Sequence, residues 1–149
     1  MRVTSGETHF MARYPEECQA TVEQETGFIE ALTGHPQNFM IVAMLSGELV
    51  GGCSVMAVSG HIKTRHRGSL GISVEQKAWG GLGTAMIEAA LLQAKENGFT
   101  QVELGVFADN DRARHLYEKL GFQEQGRTLR AFRLKDGTYR DEIQMVKFL

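Results

Sequence analysis

Along this chain the spacing of apolar residues changes several times, and each change marks an element. Asn38 to Leu45 (NFMIVAML) is a nearly unbroken apolar run and predicts a strand. Glu48 to Val58 predicts a second, and Ser46-Gly47 between them makes the pair a hairpin. Leu70 to Val74 is a short apolar run with β-branched Ile72 and Val74, which reads as a buried strand. At Leu82 the period becomes helical: Leu82, Ala85, Met86, Ala89 and Leu92 fall on one predicted face. From Phe99 to Phe107 it becomes strict alternation, with Val102, Leu104 and Val106 opposite Gln101, Glu103 and Gly105. Ala113, Leu116, Tyr117 and Leu120 return to helical spacing. Phe122 to Leu134 and Tyr139 to Phe148 close the chain as two more predicted strands.

The polar residues punctuate this pattern. Pro15, followed by Glu16 and Glu17, suits the first turn of a helix. Val22, Ile29 and Leu32 are its predicted inner face, and Gly34 with Pro36 ends it. Its acids read as a solvated face, since no histidine accompanies them as a metal ligand would. Gly51-Gly52 inside a strand signals a bulge or a close backbone approach. Lys63 to Arg67 is a basic patch, read as a charged loop or edge, or as attraction for a phosphate or an acidic substrate. Asp109-Asn110-Asp111 supplies helix caps. Gly121 sits where a left-handed C-terminal cap belongs, with apolar Phe122 after it. Lys135-Asp136-Gly137 is a hairpin turn. The order is helix, β-hairpin, strand, helix, strand, helix, β-hairpin, for which a mixed sheet with helices on its faces is the natural packing.

Composition narrows the classes. At 149 residues the chain is one domain, 1–149, by the size prior. A net charge of −2 gives no general attraction to nucleic acid. No apolar run approaches the ~18 residues of a membrane span, and MRVTSGETHF has no apolar stretch of the signal-peptide kind. Cys18 and Cys53 make no disulfide framework and fit a reducing cytoplasm.

Between the Leu70–Val74 strand and the helix from Leu82 lies a glycine cluster, Gly80, Gly81 and Gly83. Strand, glycine turn and helix together present bare backbone N–H groups and a positive helix end to an anion. A dinucleotide fingerprint would need a third glycine where Met86 stands. A P-loop would need Lys-Ser/Thr after Gly83, where Thr84-Ala85 stands. The plain alternative is a turn that only packs helix on strand.

The second half of the chain separates these readings. The strand ending at Val74, the turn Trp79 to Thr84, and the run Asn110-x-x-Ala113-x-x-Leu116-Tyr117-Glu118-Lys119-Leu120-Gly121-Phe122 together resemble the GNAT superfamily of acetyl-CoA-dependent N-acyltransferases. The closing hairpin, Asp136-Gly137-x-Tyr139-x-Asp141-x-x-x-Met145, resembles its bacterial amine and peptide acetyltransferases. The resemblance implies an α/β (α+β) fold: a mixed, mostly antiparallel central sheet, helices on both faces and a splayed parallel strand pair. It implies that Ile72, Ser73 and Val74 offer backbone groups to the pantetheine arm of acetyl-CoA. It implies that Trp79, Gly80, Gly81, Leu82, Gly83 and Thr84 hold the diphosphate, and that Asn110 reaches the coenzyme. The family's Q/R-x-x-G-x-G/A maps onto Ala78-Trp79-Gly80-Gly81-Leu82-Gly83. Ala78 departs from it, so that contact is lost or supplied by Gln76 or Lys77. Trp79 covers the coenzyme or caps the core.

The implied reaction is direct attack of a primary amine, of a small molecule or a protein, on the acetyl thioester, without a metal. Tyr117 is the implied proton donor to the departing thiolate; on its own it would read as a core tyrosine. A backbone N–H near Val74 is the candidate oxyanion donor. Glu75, Glu103, His66 and His115 are the candidate bases, each of which reads equally as a surface residue. Cys53 reads as an inert core thiol. The other functional class is an acyl-CoA-binding module with little or no turnover. The superfamily begins with a strand and a helix ahead of the acidic helix, whereas about a dozen residues precede Pro15. The expectation is therefore a missing first strand and helix, an open sheet edge and a homodimer that covers it.

Overall fold

The structure, a computed structural model, describes residues 10, 11, 13–17, 21–78 and 80–149. Six strands, β1 (Phe39–Leu45), β2 (Glu48–Ala57), β3 (Arg67–Val74), β4 (Gln101–Phe107), β5 (Gln123–Arg133) and β6 (Tyr139–Phe148), form one sheet in the order β1-β2-β3-β4-β6-β5. Among the described residues three α-helices accompany it: α1 (Val22–Thr33), α2 (Leu82–Glu96) and α3 (Asp111–Lys119). All pairings are antiparallel except β3 with β4. The expectation about the leading strand and helix falls on residues 1–9, outside the described ones, as do Cys18 and Trp79.

Turn chemistry sets the hairpins. Ser46 and Gly47 have φ of 50° and 81°, the left-handed pair that matches the twist of a two-residue β-loop. Beside it Ala43 faces Gly51 while Met44 faces Leu49, so Val50 is an extra residue in β2. A Cβ on Gly51 would stand 3.2 Å from the Ser73 carbonyl oxygen and 3.3 Å from the Met86 sulfur. The glycine pair thus marks both a bulge and a close approach.

The parallel pair β3–β4 is short. Arg67, Gly68 and Ser69 pair with Gln101, Val102 and Glu103, and the ladder stops there. From Leu70 onward β3 pairs only with β2; from Leu104 onward β4 pairs only with β6. A wedge therefore opens in the middle of the sheet. Val55, Leu70, Val102, Leu104, Ile143 and Met145 form the core around its closed end, packed under α2 and α3.

Two sequence expectations are corrected. α2 buries Met86, Ile87, Ala90, Leu91 and Ala94, whereas Leu92 is 70% exposed. Apolar residues occupy most of the circumference of this helix, so its pattern does not fix its rotation. α1 begins at Val22, with Pro15 in a separate 3₁₀ turn, Pro15–Glu17. Thr21 caps α1: its hydroxyl accepts from the Gln24 N–H, and the Gln24 side chain accepts from the Thr21 N–H. Val22 is consequently 78% exposed and Ile29 is exposed as well; only Leu32 of the predicted inner face is buried. Among the described residues no helix is long and apolar enough to cross a membrane.

Candidate active site

A cavity of about 740 Å³ fills the wedge between β3 and β4. Its first wall is the free flank of β3, where Ile72, Ser73 and Val74 line it. Its second is the start of α2. Gly80 and Gly81 have φ of 110° and 95°, a backbone conformation that any Cβ would strain. Gly81 is the N-cap of α2 and contributes no side-chain hydrogen bond. The first-turn N–H groups are thus left without a side-chain cap, at the positive end of a 15-residue helix. Gly80, Gly81, Gly83 and Thr84 all line the cavity.

The third wall is α3. The Asn110 side-chain oxygen accepts from the Ala113 N–H at 3.2 Å and caps this helix. At the other end Gly121, with φ of 89°, closes a Schellman motif. Phe122 N–H donates to the Tyr117 carbonyl at 2.9 Å, and Gly121 N–H to the Glu118 carbonyl at 3.0 Å. The rings of Tyr117 and Phe122 meet edge to face with centroids 5.8 Å apart. This motif fixes where the helix ends and holds Tyr117 in the wall. The ring is 8% exposed and lines the cavity. Burial pushes its phenol up to about 12, with a smaller contribution from the neighbouring Cys53. Burial likewise pushes the Cys53 thiol to about 12, so it stays protonated and inert at neutral pH.

The fourth wall belongs to the other face of the sheet. Phe107 and Phe132 stack with centroids 4.0 Å apart, and Phe10 meets Phe107 edge to face at 5.9 Å. Glu142 lies beside them.

The structure therefore gathers Ile72, Ser73, Val74, Gly80, Gly81, Gly83, Thr84, Asn110 and Tyr117 around one cavity. Leu82 is half-buried and does not line it; Trp79 lies outside the described residues. Gln76 lines it and Ala78 does not. None of Glu75, Glu103, His66 or His115 is in its walls. Glu103 instead binds Arg67, which gives that member of the basic patch a structural partner. Sequence reasoning missed Glu142, Arg112 and the aromatic group Phe10, Phe107 and Phe132. The available signal was parity: Glu142 is directly opposite Phe107 in the ladder and so shares its face. Among the described residues no group of three or more metal-ligating side chains occurs.

Known proteins share this fold. The model of the Acetyltransferase (GNAT) family matches residues 5–122. The chain belongs to the GNAT acetyltransferase family. It is similar to the L-amino acid N-acetyltransferase AaaT of Escherichia coli K12, 29% identical over 121 residues, which span 79% of this chain and 73% of that protein. A GNAT-family acetyltransferase from Streptococcus pneumoniae superposes with a TM-score of 0.94 at 27% identity, over 99% of this chain and 89% of its own. A putative acetyltransferase from Salmonella typhimurium, solved with its cofactor acetyl-CoA, superposes with a TM-score of 0.86 over 99% of this chain and 83% of its own. At 17% identity that last likeness concerns the fold alone.

Proposed function

We propose that this protein transfers the acetyl group of acetyl-CoA to a primary amine of a small molecule or a protein. The observation that carries the reading is the wedge. An open β3 flank, an uncapped glycine-led helix start and a buried tyrosine converge on one cavity. The start of α2 suits a diphosphate, because backbone N–H groups and the helix dipole both favour negative charge there. β3 suits an extended arm carrying amide groups, which can pair with a strand flank as another strand would. Acetyl-CoA has both parts. Its reactive carbonyl would then lie between β3 and β4, with Tyr117 on one face of the sheet and Glu142 on the other.

Acetyl-CoA supplies an activated thioester. The attacking amine must first lose a proton, since its pKa is ~10.4 in the lysine type. The neutral amine attacks the thioester carbonyl and forms the carbon–nitrogen bond. Collapse of the tetrahedral intermediate breaks the carbon–sulfur bond, the nitrogen gives its second proton to solvent, and the leaving thiolate takes a proton. The Tyr117 hydroxyl, kept protonated by burial, is the group in the wall that can give it. Backbone N–H groups near Val74 are the donors we assign to the developing oxyanion.

Incubating the protein with acetyl-CoA and an amine panel, and following free-thiol release, tests this. Thiol release that requires an amine is the expected result. Coenzyme binding with no release from any amine would instead establish the acyl-CoA-binding module.

A further inference from the structure

We propose that the half of the cavity opposite Tyr117 takes a primary ammonium group on an apolar or aromatic body, with no carboxylate beside the amine, and that Glu142 holds the nitrogen. The inference rests on the acetyl-transfer reading above and names its acceptor.

Glu142 is the one carboxylate among the described residues lining the cavity. Its position depends on Gly105. A Cβ at Gly105 would sit 2.8 Å from both Cδ and Oε1 of Glu142, so only a glycine there lets the carboxylate lie against β4. The carboxylate has one polar side-chain partner among the described residues, Gln144, whose Nε2 donates to Oε1 at 2.9 Å. The same nitrogen is 2.9 Å from the Thr128 hydroxyl, which orients the amide. Glu142 is thus aimed and half-buried, but among the described residues its negative charge meets only a neutral amide. A half-buried carboxylate in that state favours an incoming cation with hydrogens to donate. An ammonium ion has three.

The rest of this half is mostly apolar, with Ser73 of β3 as a neutral polar exception. The Phe107–Phe132 stack, Phe10 and Met11 offer no polar side-chain group to a ligand. Among the described residues the cations on this face are engaged elsewhere: Arg140 with Asp109 at 3.0 Å, and Arg67 with Glu103 at 2.5 Å. Arg112, the one basic side chain among the described lining residues, stands in the first turn of α3, the helix that packs through Ala113, Leu116 and Tyr117 on the opposite face of the sheet. A free amino acid would therefore bring its carboxylate towards Glu142 with no described cation on that face to receive it. An amine or an α-amino amide would not.

The test is calorimetric titration of three probes that share one ring, 2-phenylethylamine, L-phenylalaninamide and L-phenylalanine, into the protein with and without coenzyme A. The first two should bind, and L-phenylalanine about tenfold or more weakly. Glu142→Gln keeps the Gln144 contact and removes the charge; Gly105→Ala keeps the charge and displaces it. Both should weaken the two amines about tenfold or more, with melting temperatures reporting that the variants are folded. Equal affinity for L-phenylalanine and its amide overturns the proposal. Wild-type affinity in Glu142→Gln, or no amine binding to the wild type, does the same. The coenzyme arm is separate: if coenzyme A fails to bind while the amines do, the acetyl-transfer reading falls and the ammonium site stands.

Discussion

Arg67 grips Glu103 with two nitrogens, Nε at 2.5 Å from Oε2 and Nη2 at 2.7 Å from Oε1. The pair spans the parallel ladder of β3 and β4, from Arg67 at its first rung to Glu103 at its last, where Ser69 faces Glu103. Gln101 and Gln125 donate to the same carboxylate at 3.1 and 3.4 Å. The closed end of the wedge is therefore pinned by a forked, charge-assisted contact, and the cavity opens immediately past it.

This makes Glu103 a clamp rather than a base. The hydrogen bonds from Arg67 hold its carboxyl below the usual range, against the opposing effect of burial. A lowered folded pKa contributes stability that is present above the unfolded value, about 4.3, and is lost as pH falls. Because Arg67 is 36% exposed, solvent screening limits the contribution to about 1 kcal/mol. Glu103→Gln should lower the melting temperature at pH 7 by a few degrees. It should also flatten the loss of stability below pH 5, while amine-dependent turnover per folded molecule changes less than about fivefold. A hundredfold loss of turnover with an unchanged melting temperature would restore Glu103 as a base.

Tyr117→Phe removes one hydroxyl and keeps the edge-to-face packing on Phe122. A proton donor to the leaving thiolate acts in the transition state, so kcat should fall about a hundredfold. Coenzyme A affinity, measured by titration, should stay within about twofold. Equal losses in binding and turnover would mark the tyrosine as packing alone.

Gly81→Ala tests the helix start. Nothing stands within 4 Å of the added Cβ, so the cost is conformational, from φ of 95°. It should be about 1 kcal/mol. If the first-turn N–H groups of α2 hold the diphosphate, tilting them should weaken coenzyme A about tenfold or more, out of proportion to the stability loss. A melt and a coenzyme titration on the same sample read both.

The hairpins were legible because Ser46-Gly47 and Lys135-Asp136-Gly137 carry turn chemistry that few other structures use. The α3 cap was legible for the same reason, in Gly121 followed by Phe122. The rotation of α2 was not, since Leu82, Ala85, Met86, Ala89 and Leu92 make as good a stripe as the residues it buries, and only Met86 belongs to both. The start of α1 was misread because Pro15 with two acids is a helix-start signal, while Thr21 and Gln24 carried the capping pair. The wedge has no periodic signature at all: β4 alternates equally well with or without a neighbour, and only the resemblance carried jointly by the strand ending at Val74, the Trp79–Thr84 turn and the Asn110–Phe122 run pointed to it. Glu142 gains its meaning from the missing side chain of Gly105, two strand neighbours far apart in sequence. Read alone, each residue is ordinary.

The protonated state of Tyr117 also ties stability to alkaline pH. In the folded chain its phenol and the Cys53 thiol both ionise near 12. Unfolded, they ionise near 10 and 9. As pH rises the unfolded chain sheds these protons first, so the unfolded state gains and stability falls from about pH 9 to pH 12. Below about pH 9 neither group contributes a slope. Two pKa units amount to about 3 kcal/mol for the tyrosine at the top of that window. Denaturant unfolding from pH 8 to 11.5 should show the decline in the wild type, a shallower one in Tyr117→Phe and in Cys53→Ala, and the shallowest in the double variant. The same protonation has a kinetic counterpart. Because Tyr117 keeps its proton far above the range in which an acceptor amine loses its own, turnover should climb with pH towards about 10. No tyrosine-dependent downturn should appear before the fold itself weakens. A descending limb centred near pH 8 to 9 that vanishes in Tyr117→Phe would show the hydroxyl to be far more acidic than its burial dictates while keeping it as the donor; a pH profile and kcat unchanged in Tyr117→Phe would take that role away.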